Sequence, residues 1–370
     1  EPTQQPLPPG VSVRACLEAC LSAQDQETRR PGDQETPDGA DGRSLSPGLP
    51  SERSERFSVS PGLPSERSER FSVSPGQTRR AWGIACGIKN LGYSFGFPEQ
   101  ATATVELFGE GVIERALLRV GAADVGQGVH LILRQIAAEA LGVAFEIVEI
   151  SADDSAEAPS AGSASASRLT IMAGRAVLEA ATAALREWEQ EERPARATAR
   201  YRAPETTALD PVTTAGRPNY AYGYAAQAVE VEVDIATGVV RVLCVISAHD
   251  VGRAVNRQQV EGQIEGGLAQ ALGYTLMEQF QMRAGRVLTP GFSSYLLPTI
   301  LDTAPEIIAV VLELADAEGP YGARGVAELP LVPFAPAVAA AIHAATGAWV
   351  SDLPFTPERV LAAIKAAGAE

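Results

Sequence analysis

Soft metal ligands are scarce in this chain of 370 residues, which holds four cysteines and three histidines. Cys16, Cys20, Cys86 and Cys244 form no C-x-x-C pair, so neither a zinc ribbon nor an iron–sulfur cluster is written here. With only His130, His249 and His343 available, a histidine cage is excluded, and a metal that takes part must arrive inside an organic cofactor. Positive charge is also short. Thirty Lys and Arg against 46 Asp and Glu leave a formal charge of −16, which argues against nucleic acid or an anionic membrane surface as the main partner. An anionic ligand has then to be held by local devices such as backbone N–H groups. No apolar run approaches the roughly 18–20 residues of a spanning helix. The opening "EPTQQPLPPG" lacks the charged-then-apolar pattern of a leader, so a cytoplasmic protein with no membrane contact is the expectation.

What is present is ordinary for a globular chain, 45% apolar and 21% charged, with one exception. The stretch "SPGLPSERSERFSV" occupies 46–59 and again 60–73. With its flanks it makes a segment, 24–79, of Ser, Pro, Gly, Glu, Asp and Arg that buries too little to offset the entropy of ordering. Residues 24–79 are therefore expected to be a disordered insertion. It separates a helical start (1–23) from the remainder (80–370) of the same domain. Deleting Gln26–Gln77 should leave the stability of the remainder unchanged within about 1 kcal/mol, because closure entropy grows slowly with loop length. Limited proteolysis should cut first between Arg29 and Arg70, and strong protection there in the native protein would contradict the expectation.

From 81 onward β and α patterns alternate. "ATATVELFGEGVIERALLRVGA" reads as two strands around Gly109-Glu110-Gly111, a hairpin signal. In "QGVHLILRQIAAEALGV", Val129, Leu133, Ile136, Ala137 and Ala140 fall at helical spacing before a stop at Gly142. "FEIVEISADD" is a short strand and "LTIMAGRAVLEAATAALREWEQEE" a long helix. Two strands flank Ala236-Thr237-Gly238, "QQVEGQIEGGLAQALGYTLMEQF" is a glycine-rich helix, "EIIAVVLEL" a strand, and two helices follow. The class is α+β, with mixed sheets and flanking helices.

Four stretches carry chemistry. Gly126-Gln127-Gly128 stands just before a helix start, where free N–H groups and the dipole favour acceptor oxygens; a plain tight turn gives the same pattern. Small residues from Ser160 to Ser167 precede the long helix and would let backbone approach a ligand closely. Glycines in "VEGQIEGGLAQALG" suit a helix pressed against a bulky ligand or another backbone. In "GARGVAELPL", Glu328 sits alone among glycine and apolar residues. A carboxylate shielded in that way would have its pKa raised and could act as a base near neutral pH, whereas an exposed loop glutamate would be a solvent contact.

In combination, "GAADVGQGVHLILRQIAAEALGV", "SAGSASASR", "HDVGRAVNRQQVEGQIEGGLAQALGYTLMEQ", "TPGFSSYLLPT" and "GPYGARGVAELPLVPFAPAVAAAI" resemble the C-terminal half of the molybdenum-binding subunit of the xanthine dehydrogenase and aldehyde oxidase family. The resemblance covers most of 81–360. It implies the fold of the molybdenum-cofactor-binding domain, and a molybdopterin cofactor, in bacterial members usually the cytosine dinucleotide form. By the same resemblance, Gly126, Gln127 and Gly128 would contact the dithiolene side and phosphate. Ala164 and Ser165, with neighbours such as Ser163, would line the dinucleotide tail. Gln263 would hydrogen-bond the pterin, and Glu328 would be the catalytic base beside molybdenum, with no metal ligand from the chain. The family's usual Gly-x-Gly-Glu reads Gly325-Val326-Ala327-Glu328 here, a methyl replacing hydrogen beside the base. The resemblance does not extend to the preceding half of the family's molybdenum subunit, which is expected on a separate portion of polypeptide. The resemblance thus implies a hydroxylase of heterocycles or aldehydes completed by that half and served by an iron–sulfur subunit and an FAD subunit. The alternative is a non-catalytic remnant or cofactor-binding module that forms no active centre alone.

Overall fold

The computed structural model describes residues 12–28, 78–191, 193–326 and 328–368. Ten strands and six helices follow in the order α1 (Val13–Thr28), β1 (Thr78–Leu91), β2 (Gln100–Phe108), β3 (Arg115–Arg119), α2 (Val129–Leu141), β4 (Val148–Ser151), α3 (Leu169–Glu189), β5 (Ala195–Arg202), β6 (Ala221–Asp234), β7 (Val240–Asp250), α4 (Arg257–Leu276), β8 (Met282–Arg283), β9 (Arg286–Val287), β10 (Glu306–Leu312), α5 (Phe334–Thr346) and α6 (Pro357–Ala366). The expected insertion loses both ends to these elements, since α1 runs on to Thr28 and β1 opens at Thr78. Its remainder, 29–77, lies outside the described residues, as does Ala327.

Two four-stranded sheets carry the molecule, and both are mixed, as the α+β reading expects. One has the order β1-β6-β7-β10, antiparallel except for β7 with β10. Its long central strand β6 alternates because its faces meet different partners. Val229, Val231 and Val233 pack toward α4 and α5, while Tyr224, Ala226 and Ala228 pack toward Cys16 and Cys20 of α1. Burial pushes both of those thiols up to about 12, so they serve as packing groups and not nucleophiles. The other sheet has the order β4-β3-β2-β5, with α2 and α3 laid on it. Ala101, Ala103, Val105 and Leu107 of β2 supply its buried face.

Strand β5 was not foreseen. "ARATARYR" alternates alanine with arginine and carries no branched apolar residues, so its local signal is that of a charged connection. Pairing along β2 from Gln100↔Arg202 to Leu107↔Ala195 makes it a strand. Long-range pairing overrides weak intrinsic preference. Contrary to the expectation of no long apolar run, Leu329–Thr346 is apolar and long enough by composition to cross a membrane. That stretch is broken into a 3₁₀ turn, Leu329–Leu331, and the 13-residue α5, which lies against β1 and β6 with Ala337, Val338, Ala341 and Ile342 fully buried. It is a core helix of this fold.

Candidate functional site

Four chain segments converge on one cavity of about 250 Å³. They are the loop into α2, the loop into α3, the turn from β7 into the first turns of α4, and residues 323–326 with Glu328. Single bridges join the loops in pairs, Gly121 to Ser160 and Gly252 to Ala323. Where 319–328 crosses the loop into α3, a Cβ on Gly325 would stand 2.1 Å from the Ser167 carbonyl oxygen. Only glycine permits that approach, and through it the two motifs share one wall.

The loop into α2 is shaped from within. The Asp124 carboxylate accepts N–H groups of Gly126 (2.9 Å), Gly128 (3.3 Å) and His130 (3.4 Å). Partial burial works against its charge, but these three donors together hold the Asp124 pKa below the usual carboxylate range. The N–H groups of Gly126 and Gly128 thus meet the chain's own anion, placed where a helix start favours negative charge. Gln127 braces the same loop, accepting from Val125 N at 2.7 Å and donating to Ala123 O at 2.9 Å. It still lines the cavity, whereas Gly126 and Gly128 do not.

The loop into α3 hangs on a buried ion pair. Arg168, 2% exposed, donates through Nε to Glu99, whose side chain is equally buried. Its Nη atoms donate to the carbonyls of Ala161 (2.6 Å), Ser163 (3.0 Å) and Gln100 (3.1 Å). Glu99 in turn accepts from Tyr220 OH at 2.6 Å and Tyr93 N at 2.9 Å. One guanidinium thus fixes the curve that presents Ala164 and Ser165 to the cavity. Ser163 stands outside it, hydrogen-bonded to Ser165 Oγ at 3.0 Å. The first turn of the 21-residue α3, with Leu169 and Thr170, opens on the same space, where backbone N–H groups have no acceptor within the helix.

Glu328 lines the cavity, but in a setting other than the shielded one read from its neighbours. Leu329 and Pro330 turn inward and are buried, which leaves the Glu328 side chain 49% exposed. Lys89 of β1 reaches it, Nζ to Oε2 at 2.8 Å, and Ser167 Oγ donates to the same oxygen at 2.9 Å. Both contacts fall on Oε2, so among the described residues Oε1 is the oxygen left to take a proton. Upstream, Arg324 is buried between Asp250 and Asp316. Asp250 also accepts from Ser12 Oγ at 2.5 Å, tying the start of α1 to this wall.

Gln263 lines the cavity, and one turn earlier Gln259 does too. Gln259 was missed. Its side chain lies against Gly128, where a Cβ would come within 2.5 Å of Nε2, and its Oε1 is buried without a hydrogen-bond partner among the described residues. The doublet Gln258-Gln259 gave no means of choosing a member that faces inward, and Gln263 stood out only through the resemblance. The glycines of α4 divide in the same way. Gly267 is pressed by Pro330, whereas Gly262 and Gly266 face open space.

The sequence model of the family described as molybdopterin cofactor-binding domain matches residues 60–193 and 181–304. The chain belongs to the molybdopterin-binding xanthine dehydrogenase and aldehyde oxidoreductase family. It is 33% identical over 321 residues to a protein of Bacillus subtilis named as a probable xanthine dehydrogenase subunit, covering 78% of this chain and 43% of that one. It is 32% identical over 302 residues to an aldehyde oxidoreductase of Megalodesulfovibrio gigas, covering 77% of this chain and 32% of that one. Among solved structures, the aldehyde oxidoreductase from Desulfovibrio gigas superposes with a TM-score of 0.70 at 29% identity, over 81% of this chain and 34% of that chain. The chain spans less than half the length of these relatives. A molybdopterin suits the donor set found here: Gln259 Oε1, without a partner among the described residues, can accept from a ring N–H, and the amides of Gln127, Asn256 and Gln263 line the same cavity.

Proposed function

We propose that this chain is the cofactor-holding and proton-accepting part of a molybdenum hydroxylase that oxidatively hydroxylates a small heterocycle or aldehyde. The observation that carries the reading is the convergence of Gln127, Ala164, Ser165, Gln263 and Glu328, drawn from distant parts of the sequence, on one cavity. Gln127, Gln259 and Gln263 would hold the pterin, while the first turn of α3 and the loop Ser163–Ser165 would face the tail, read as a cytosine dinucleotide. When bound, the molybdenum group supplies two-electron redox chemistry and a Lewis-acidic centre. Glu328 takes a proton at Oε1, while Lys89 and Ser167 hold Oε2 and so orient the carboxylate.

The rest of the centre would come from the polypeptide portion that the relatives carry beyond the matched region. Support comes from an exposed apolar stretch between α4 and β10 that includes Phe280, Met282, Phe292, Leu296, Ile300 and Leu301; side chains of this kind mark a surface that another chain covers. Relatives whose names place them in a xanthine dehydrogenase and in a dehydrogenase complex, the latter as its gamma component, support a multi-subunit enzyme, to which iron–sulfur and FAD subunits would bring the electron acceptors. The free cysteines fit a reducing compartment such as the cytoplasm.

Metal and pterin analysis tests the reading. Purified alone, the chain should hold no stoichiometric molybdenum, because a cofactor gripped from two sides loses several contacts at once when one side is missing. Co-purified with the complementary polypeptide, it should hold about one molybdenum and one pterin per complex. Stoichiometric metal in the lone chain would refute the division of the site, and no metal in the complex would leave a non-catalytic module.

A further inference from the structure

The face of β6 that carries Val229, Val231 and Val233 has a polar residue at its next position, Gln227, which is fully buried. Opposite it on β7 stands Ser247, and two residues on is His249, both fully buried. Gln227 Nε2 donates to the Pro330 carbonyl at 2.8 Å and to Ser247 Oγ at 3.0 Å, and Ser247 Oγ lies 2.7 Å from His249 Nε2. A carbonyl oxygen can only accept, so the amide must present its nitrogen to Pro330, and the orientation of the side chain is settled by that bond. Gln227 Oε1 and His249 Nδ1 have no partner among the described residues. A row of polar groups in a valine-lined core, with two atoms unsatisfied, is a cost that apolar residues would avoid.

What the row holds is the turn that begins at Glu328. The bonds Leu329 N to Val326 O (3.0 Å) and Val332 N to Leu329 O (3.1 Å) close the turn on itself. Pro330 lacks an N–H, so its carbonyl, together with its ring packed on Gly267 of α4, anchors the turn to the two elements beneath it. Upstream of Glu328 the chain is tied to the same strand β7 by the Arg324 pair with Asp250. We propose that Gln227 is a positioning residue for Glu328. Through the Pro330 carbonyl it sets where the carboxylate stands, and Ser247 with His249 keeps its amide from rotating. The proposal rests on the reading of Glu328 as the proton acceptor, and it assigns to Gln227 no contact with substrate or cofactor.

The test is a double-mutant cycle in the assembled, molybdenum-loaded enzyme with Gln227→Met and Glu328→Gln. Methionine keeps the length and volume but removes the donor. Gln227→Met should lower kcat by about tenfold or more, since small misplacements of a reacting group are costly, with KM and molybdenum content at the wild-type level. In the Glu328→Gln background the same substitution should change kcat by less than about twofold, because the group it positions no longer accepts a proton. In the purified chain, hydrogen exchange of the peptide 325–333 should quicken while that of β6 stays the same. An equal loss of kcat in both backgrounds, or a wild-type kcat in Gln227→Met, would overturn the proposal. Wild-type turnover in Glu328→Gln alone would instead overturn the proton-acceptor reading, so the two failures are told apart. If Gln227→Met does not fold, Ser247→Ala, which frees the amide on one side only, is read in the same cycle; a kcat loss of about threefold confined to the Glu328 background is expected, and its absence counts against the proposal.

Discussion

Glu328→Gln should lower turnover of the assembled enzyme by about 10²–10⁴-fold, the usual contribution of a general base, with molybdenum content at the wild-type level. The prediction follows from what the amide keeps and what it loses. Its oxygen can still accept from Lys89 Nζ and Ser167 Oγ, the two groups that now bind Oε2, so the side chain stays in place. The oxygen left for a proton is replaced by an NH₂ that cannot take one. Transition-state stabilisation therefore falls while cofactor binding does not, a pattern seen as reduced kcat at constant metal content. A structural glutamate would behave in the opposite way, losing cofactor or fold before rate. Near-normal turnover at full molybdenum would exclude the base role.

Arg168→Met should destabilise the chain by about 3–5 kcal/mol, the usual result of removing one partner of a buried ion pair. Glu99, 2% exposed, would keep Tyr220 OH and Tyr93 N as donors but lose its counter-charge. The carbonyls of Ala161, Ser163 and Gln100 would lose their donor in the same step. Denaturant midpoints measure the loss, and adding Glu99→Gln should recover part of it, because a neutral amide is cheaper to bury than an unpaired carboxylate. A loss below about 1 kcal/mol would mean that water reaches the pair and screens it. The same variant should loosen the loop that presents Ala164 and Ser165.

Glu328 was legible in the sequence as a base candidate, yet its surroundings were misread, because the apolar neighbours Leu329 and Pro330 are buried beneath it and do not shield it. Lys89 lies on a strand near the other end of the domain, and nothing local links the two. Arg168 reads as the last letter of a small-residue loop, and only the fold reveals that it carries the loop. Asp124 carries no signal of its own in the sequence, and only the fold shows that its carboxylate accepts from the N–H groups of Gly126, Gly128 and His130.

What the sequence determined by itself is therefore periodic and local. The 3.6-residue spacing of α2 and α3, the alternation in β2 and β6, the turns at Gly109 and Gly238 and the glycine stop at Gly142 each follow from side-chain pattern and backbone freedom within a few residues. The order of the motifs carried the family as well. Tertiary structure alone decided everything that depends on two distant residues meeting: the pairing that turns "ARATARYR" into β5, the inward-facing Gln259, the Lys89 contact on Glu328 and the buried row from His249 to Pro330. The reason is physical. Backbone preference and hydrophobic period are properties of a short segment, whereas burial, charge pairing and hydrogen-bond satisfaction are set by groups that only folding brings within reach.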